Sequence, residues 1–179
     1  MIECELRPLA RADLLLLSRW LQEPLVARWW ADDPAPAALE EQYGGCIDGT
    51  DPTRVLVASH AGMPYGLVQW YRYADEPDYA AELSAAVELP AGAVGIDYLV
   101  GEPGARGRGL ADAMVREVLA EAAAAGARTV VVAVHAGNRA SSRLLERCGF
   151  RLVGEADLDP DNPADDRRHV VHRLDLPGS

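Results

Sequence analysis

The stretch Asp97–Ala111, DYLVGEPGARGRGLA, combines residue types that could bind an anion. An apolar, strand-like run ends in a glycine-rich loop, and this loop leads into a helix-like run. The first turn of a helix leaves main-chain N–H groups unpaired and carries partial positive charge. Gly107 and Gly109 would let the main chain come close to an anion, and Arg106 and Arg108 add charge beside it. The pattern predicts a cradle for a phosphate or diphosphate, although glycines that only turn the chain would look the same.

Asp97 is a second residue suited to chemistry, because it stands in an apolar, strand-like run, AVGIDYLV. A charged side chain in such a run is costly unless it is paired or functional, and a carboxylate can bind a cation and accept a proton. By the two-residue period of a strand, Leu99 lies on the same face. A structural salt bridge from Asp97 to an arginine is the alternative. Other carboxylates could complete a pocket for a cation, although a solvated surface role is the more common reading for each of them: Asp75, Glu76, Asp78, Glu82 and Glu88.

The composition favours a globular protein that attracts cations. The chain has 179 residues, 49% of them hydrophobic, and 17 Lys and Arg against 28 Asp and Glu give a formal net charge of −11. Nucleic-acid binding needs basic surface and is excluded, whereas a cationic ligand would be attracted; solubility alone could also explain the charge. The 3 widely spaced cysteines form no zinc motif and fit a reducing compartment. With no signal peptide and no run of about 20 apolar residues, we expect a cytoplasmic protein without a metal or a membrane partner.

The elements that must position these residues form an α/β pattern. Strand-like and helix-like runs alternate, with no internal repeat and no low-complexity linker. We therefore expect a single domain over residues 1–179, built on one mixed sheet of about seven strands with helices on both faces. Residues 74–92 are acidic and rich in Pro and Ala, and should form a long loop with at most a short helix. The predicted strands are 2–7, 54–60, 65–73, 93–100, 129–134, 150–154 and 168–174, and the predicted helices are 10–21, 37–47, 110–125 and 138–147.

Two blocks of the sequence resemble the signature motifs of GNAT acetyltransferases. The segment RGRGLA at residues 106–111 is similar to the R/Q-x-x-G-x-G/A motif of that family. Downstream, Asn138, Gly149 and Phe150 match its N-x-x-A-x-x-x-Y-x-x-x-G-F pattern, with Ser141 at the Ala position. The two blocks stand in the family's order, with a predicted strand between them.

This resemblance implies a GNAT fold that binds acetyl-CoA. In the family, main-chain amides of the loop hold the pyrophosphate of coenzyme A. The pantetheine arm lies between two splayed central parallel strands, which would here be 95–101 and 129–135. A main-chain N–H near Leu99 would polarise the thioester carbonyl. The residues that the resemblance assigns to the cofactor are Leu99, Val100, Arg106, Gly107, Arg108, Gly109, Leu110, Ala111, Asn138 and Ser141.

A closer resemblance, over most of the chain, is to aminoglycoside 6'-N-acetyltransferases and to relatives that acylate a siderophore lysine side chain. Its most discriminating features are the Trp29-Trp30 pair and Gly95-Ile96-Asp97. The resemblance implies that the acceptor is a primary amine of an aminoglycoside. Asp97 would then accept or relay the proton that the ammonium must lose before the nitrogen attacks the thioester. The implied substrate-binding residues are Trp29, Trp30, Gln69, Tyr71, Asp75, Asp78, Asp97 and His135.

Two departures from the family patterns bear on the chemistry. The tyrosine that often protonates the leaving thiolate falls at Leu145, which cannot donate a proton. Water, unaided departure or another group such as His135 must then serve. Ala133 stands where the aminoglycoside enzymes carry an Asp that contacts substrate, so the reacting amine could instead be at the 2' position, as in kasugamycin-type acetyltransferases.

The expected reaction is direct transfer of the acetyl group in a ternary complex, without an acetylated enzyme. Cys148, at the end of a predicted helix, is then a packed thiol and not a nucleophile. One alternative keeps the fold and changes the acceptor to a siderophore lysine, a polyamine or a protein amine. Another is a sensor that binds acyl-CoA without catalysis. The sequence leaves open whether the protein is a monomer or a homodimer.

Overall fold

The computed structural model describes residues 2–177, which form seven β-strands and six α-helices. The strands make one mixed sheet in the order β1-β2-β3-β4-β5-β7-β6, which confirms the predicted α/β sheet. The strands are β1 (Glu5–Pro8), β2 (Arg54–His60), β3 (Met63–Arg72), β4 (Val94–Val100), β5 (Thr129–His135), β6 (Arg151–Asp157) and β7 (Arg168–Asp175). The helices are α1 (Leu14–Leu21), α2 (Pro24–Ala27), α3 (Pro36–Asp48), α4 (Pro77–Ser84), α5 (Leu110–Ala124) and α6 (Arg139–Arg147).

By packing, the chain divides into two compact units. The first unit contains the residues up to 69 together with residues 97–118. The second unit contains residues 70–96 and the residues from 119 onward. The divisions fall inside β3, β4 and α5, so each of these elements contributes residues to both units.

In the first unit, α1 and α3 cover an apolar cluster. The side chains of Leu14, Leu17 and Leu21 recur along one face of α1 and are buried, as their helical spacing requires. Leu67 of β3 and Leu99 of β4 belong to the same buried cluster. The cluster therefore connects the N-terminal helices to the strand that carries Asp97.

Local signals set the ends of α3 and of the hairpin in the first unit. Helix α3 begins at Pro36, whose missing N–H costs nothing in a first helical turn, and ends at Gly49 in the left-handed conformation (φ 76°). Between β2 and β3, Ala61 (φ 49°) and Gly62 (φ 74°) make the turn, and positive φ at both residues suits the twist of a hairpin. The turn thus joins β2 to β3, its neighbour in the sheet.

In the second unit, β7 lies between two antiparallel neighbours. It pairs with β5 from Thr129↔Asp175 to His135↔His169, and with β6 across an irregularity between Leu152 and Gly154. Strand β4 runs parallel to β5, with Val94 opposite Val130. A buried cluster covers one face of this part of the sheet and includes Tyr73, Leu83, Val131, Leu158 and Val171.

Some boundaries differ from the sequence prediction. Residues 74–92 contain α4, the short helix that the prediction allowed, and its Leu83 is fully buried. The glycine-rich loop before α5 contains one turn of 3-10 helix, Pro103–Ala105, since proline suits the first position of such a turn. Strand β6 continues to Asp157, beyond the predicted end at Gly154, because it follows β7 as far as Arg168. None of the helices within residues 2–177 is long and apolar enough to cross a membrane.

Candidate functional site

The loop between β4 and α5 exposes main chain at the start of a helix of 15 residues. Gly107 (φ 71°) and Gly109 (φ 76°) adopt left-handed conformations that side chains other than glycine rarely tolerate. Nothing lies within 4 Å of the position that a Gly107 Cβ would take, so the space beside that residue is open. The N–H of Arg106 already donates to the carbonyl of Pro103 (3.2 Å). The amides that could face an anion are therefore those of residues 107–110.

The two arginines of the loop differ in what they do. The guanidinium of Arg106 donates to the carbonyls of Val100 (3.3 Å) and Gly101 (3.3 Å), and lies 3.7 Å from a carboxylate oxygen of Glu23. Arg108 is exposed, and its guanidinium donates to the carbonyl of Gly104 (3.4 Å). Arg106 therefore holds the end of β4, whereas Arg108 is the side chain placed to add positive charge at the surface.

The β4 residues predicted to line the cofactor are largely enclosed. Leu99 is buried and Val100 is partly buried. The carbonyl oxygen of Leu99 lies 2.5 Å from the position that a Cβ on Gly66 would occupy, so β3 approaches β4 here as only glycine allows. On α5, Leu110 is buried and Ala111 is partly buried.

Asp97 lies on β4 with its side chain partly exposed. Its Oδ2 accepts a hydrogen bond from Nε2 of Gln69 (3.0 Å), so the structure brings together two of the residues predicted to bind substrate. The donor in this contact is a neutral amide, which orients the carboxylate of Asp97.

Asp32 is a carboxylate that the sequence analysis missed. Its Oδ2 accepts from the indole N–H of Trp30 (2.8 Å) and from the hydroxyl of Tyr43 (2.5 Å), and its Oδ1 lies 3.4 Å from Nε2 of Gln42. Burial raises the pKa of Tyr43, and the charge of Asp32 raises it further, with a smaller contribution from the charge of Asp97. The charges of Asp32 and Asp97 both raise the pKa of Tyr43, so the two carboxylates act on the same side chain of the first unit.

Trp29 and Trp30 were both predicted to contact substrate, and both are partly exposed. The guanidinium of Arg28 stacks 3.9 Å from the ring centroid of Trp29, a cation–π contact that covers one face of the indole. The indole of Trp30 is turned by its hydrogen bond to Asp32. One face of the Trp29 indole is therefore covered by Arg28, and Trp30 is held in one orientation.

The remaining predicted substrate residues lie in the second unit. The ring of Tyr71 lies against Gly95, where a Cβ would come within 2.5 Å of it, and makes an edge contact with Tyr73 (ring centroids 5.6 Å apart). Asp75 and Asp78 are exposed, in a 3-10 turn and at the start of α4. Gly95 is thus required by Tyr71, a packing reason that the sequence motif did not reveal.

His135 ends β5, and both of its ring nitrogens are engaged within the second unit. Nδ1 accepts from the N–H of Gly137 (3.1 Å), and Nε2 lies 3.2 Å from the carbonyl oxygen and 3.2 Å from Oδ1 of Asp166. Because Nδ1 is an acceptor, the hydrogen of the neutral ring is on Nε2. To act as an acid toward a leaving thiolate, His135 would have to leave Asp166.

Helix α6 carries the second family motif. Asn138 caps this helix, with its Oδ1 accepting from the N–H of Ser141 (3.2 Å), so any ligand contact of Asn138 falls to its Nδ2 donors. Leu145, at the family's tyrosine position, is fully buried and has no proton to give. Cys148 is also buried, as expected of a packed thiol. Within residues 2–177, no group of three or more His, Cys, Asp or Glu side chains could hold a metal ion.

Taken alone, the first unit combines two binding chemistries on β4 and its neighbours. The amides of residues 107–110 offer hydrogen-bond donors at a helix start, which suit an anion. The carboxylates of Asp97 and Asp32 suit a cation such as an ammonium group. An enzyme that transfers a group from a phosphate-bearing donor to an amine needs this combination.

Comparison with known proteins agrees with that chemistry. Residues 10–158 match the family model described as an acetyltransferase (GNAT) domain. The chain is 27% identical, over 164 residues, to aminoglycoside N(6')-acetyltransferase type 1 of Klebsiella pneumoniae and to that of Serratia marcescens. The match covers 89% of this chain and 79% of each relative.

Solved structures share the fold. An aminoglycoside acetyltransferase in complex with coenzyme A and kanamycin superposes with a TM-score of 0.82 at 24% identity, covering 97% of this chain and 95% of that one. A spermidine N-acetyltransferase chimera, from Vibrio cholerae and a second source, superposes with a TM-score of 0.73 at 18% identity, covering 96% and 95%. The family match spans most of the chain, and on this evidence the protein belongs to the GNAT acetyltransferase family.

Proposed function

We propose that this protein transfers the acetyl group of acetyl-CoA to a primary amine of an aminoglycoside. The observation that carries the proposal is the carboxylate of Asp97, partly exposed on β4, oriented by Gln69 and accompanied by Asp32. A polycationic acceptor would be drawn to such a place, and the net charge of −11 adds to the attraction. The curated relatives named above, which act on aminoglycosides, support this choice of acceptor.

The residues present fit the cofactor. The amides of Gly107 through Leu110 can donate to the diphosphate, and the open space beside Gly107 admits it. Main-chain groups of Leu99 and Val100 would accompany the pantetheine arm. When bound, acetyl-CoA supplies the acetyl group as an activated thioester. Structures of aminoglycoside acetyltransferases with coenzyme A support this part of the proposal.

On the amine side, Asp97 binds the ammonium and accepts or relays its proton, so that the neutral nitrogen can attack the thioester carbonyl. Asp32 holds the indole of Trp30 and the hydroxyl of Tyr43 by hydrogen bonds and adds a second negative charge in the same unit. The partly exposed indole of Trp29 suits stacking against a sugar ring. In this proposal transfer is direct, and the burial of Cys148 at the end of α6 argues against an acetylated thiol at that position.

Protonation of the leaving thiolate falls to water in this proposal. Leu145 has no proton to give, and the Nε2 hydrogen of His135 already points at Asp166. A thiolate leaves more readily than an alkoxide because thiols are far stronger acids than alcohols. The loss of the family's tyrosine is therefore compatible with catalysis.

The proposal is tested by acetyl-CoA turnover over a panel of amines, followed through release of free thiol. The panel contains kanamycin, gentamicin, kasugamycin and spermidine, and mass spectrometry with NMR locates the acetyl group on each product. We expect kanamycin or gentamicin to be acetylated at the 6' amine with the highest kcat/KM. Preference for kasugamycin would move the reaction to the 2' amine, and preference for spermidine would replace the aminoglycoside by a polyamine. Binding of coenzyme A without turnover of any amine would favour a sensor.

A further inference from the structure

We propose that Glu102 is a positioning residue for the cofactor, held by Arg19 and Trp20 of α1 so that the main chain after it meets the diphosphate in one orientation. This inference rests on the proposed binding of acetyl-CoA by the loop before α5. Glu102 lies at the start of that loop, directly after Gly101. It would contact no part of the cofactor itself, and its effect would pass through the main chain.

The contacts of Glu102 are made by neighbouring side chains of α1. Its Oε1 accepts from the indole N–H of Trp20 (2.9 Å) and forms an ion pair with the guanidinium of Arg19. The ring of Trp20 also lies directly on Gly101, where a Cβ would come within 2.0 Å of the indole. The carbonyl of Tyr65 accepts from the N–H groups of both Gly101 (2.9 Å) and Glu102 (3.1 Å). The first two residues of the loop are therefore fixed from both the side chain and the main chain.

Arg106, at the other end of this segment of the loop, is held close to the same stretch of chain as Glu102. Arg106 lies 3.7 Å from Glu23, which immediately precedes α2, and donates to carbonyls at the end of β4. Between these anchors, the N–H of Ala105 closes a tight turn on the carbonyl of Glu102 (3.0 Å). Residues 19–23 thus hold both ends of the segment 101–106, and residues 107–110 follow it without a break.

The ion pair between Arg19 and Glu102 is open to solvent, so its contribution to the stability of the fold is small. The side chain of Arg19 is 63% exposed and that of Glu102 is 34% exposed. Ion pairs open to solvent contribute little to folding, because water screens them. A small displacement of a binding loop can nevertheless cost a large factor in the reaction that it serves. Loss of Glu102 should therefore affect the cofactor far more than the fold.

The test compares Glu102→Ala and Glu102→Gln with a matched control, Glu121→Ala. Glu121 accepts from the indole N–H of Trp70 (3.1 Å), which is the same kind of contact in the second unit. Calorimetry measures the Kd of coenzyme A, and turnover is measured with acetyl-CoA and with acetyl-pantetheine, which lacks the diphosphate. The melting temperature of each variant reports the fold.

We expect Glu102→Ala to raise the Kd of coenzyme A and the KM of acetyl-CoA about tenfold, with acetyl-pantetheine turnover within about twofold of the wild type. Glu102→Gln keeps an acceptor for Trp20 and should recover part of the affinity, and Glu121→Ala should bind coenzyme A normally. An unchanged Kd in Glu102→Ala, or an equal loss with both thioesters, would overturn the inference. If the wild type fails to bind coenzyme A, the proposed function fails first, and the positioning role fails with it.

Discussion

Replacement of Asp97 by asparagine tests the centre of the proposed chemistry. Asparagine has nearly the same shape and keeps an oxygen that can accept from Nε2 of Gln69, the 3.0 Å contact of the wild type. What the change removes is the negative charge and the capacity to take a proton. The fold should therefore survive while the amine loses its partner.

The size of the loss follows from electrostatics. At about 4 Å and an effective dielectric constant of about 20, a carboxylate and an ammonium attract each other by about 4 kcal/mol. That energy corresponds to about a thousandfold in rate if it is realised in the transition state. Proton transfer by a positioned side chain contributes a factor of about 10² to 10⁴, which overlaps this range. We expect kcat/KM for the amine to fall by about a thousandfold in Asp97→Asn.

The assay is thiol release under saturating acetyl-CoA with varied amine, together with the Kd of coenzyme A and the melting temperature. Asp33→Asn is the matched control, because it removes the same charge from an exposed residue whose Oδ1 accepts from the N–H of Ala35 (2.8 Å). The control should stay within about twofold of the wild type, as surface substitutions usually do. A folded Asp97→Asn variant with nearly normal kcat/KM would remove Asp97 from the mechanism.

Three further predictions concern stability. Gly101→Ala should lower the free energy of unfolding by about 2 kcal/mol in urea titrations, because its Cβ would meet Trp20; Gly104→Ala, with nothing within 4 Å, should be nearly neutral. Ala61→Asn should raise the free energy of unfolding by about 1 kcal/mol, because asparagine tolerates the φ of 49° better than alanine does. An unchanged free energy of unfolding would argue against strain in that turn. Burial lowers the pKa of His172, whose Nδ1 has no hydrogen-bond partner within residues 2–177, and the charge of Glu146 opposes this with a smaller effect. As the pH falls below the ordinary value of 6.5, His172 takes up a proton in the unfolded chain before it does so in the folded protein. The free energy of unfolding of the wild type should therefore fall by up to about 1.4 kcal/mol per pH unit more than that of His172→Leu. Parallel curves of stability against pH for the two proteins would contradict this.

Many of the elements could be predicted because their signals are local. Strand β2 has the predicted bounds, 54–60, and α3 lies between a proline that suits its first turn and a glycine that ends it. Ala61 and Gly62, both with positive φ, make the turn between β2 and β3. In each case the residues that decide the structure lie within a few positions of the structure that they decide.

Asp32 could not be predicted, because its role depends on how an irregular segment turns. The segment from Arg28 to Ala35 has no periodicity, and the donors to Asp32 come from Trp30 beside it and from Tyr43 on α3. The role of Arg106 could not be predicted from the sequence either. Its charge suggested a role toward an anion, but its guanidinium binds carbonyls at the end of β4. Which of several acceptors an arginine chooses depends on carbonyls that only the folded chain brings near it.

The diphosphate of the cofactor and the carboxylate of Asp97 are both negatively charged, and in the proposed complex the same unit holds both. Their repulsion depends on the distance between them. From Asp97 to Gly101 the strand advances four residues, or about 13 Å at about 3.3 Å per residue. The screening length at physiological ionic strength is about 8 Å, so charges at this separation interact weakly through solvent. The amides of residues 107–110 lie further along the chain, past the turn at Pro103–Ala105. Asp97→Asn should therefore leave the Kd of coenzyme A unchanged, and a marked tightening in that variant would show that the two charges act on each other directly.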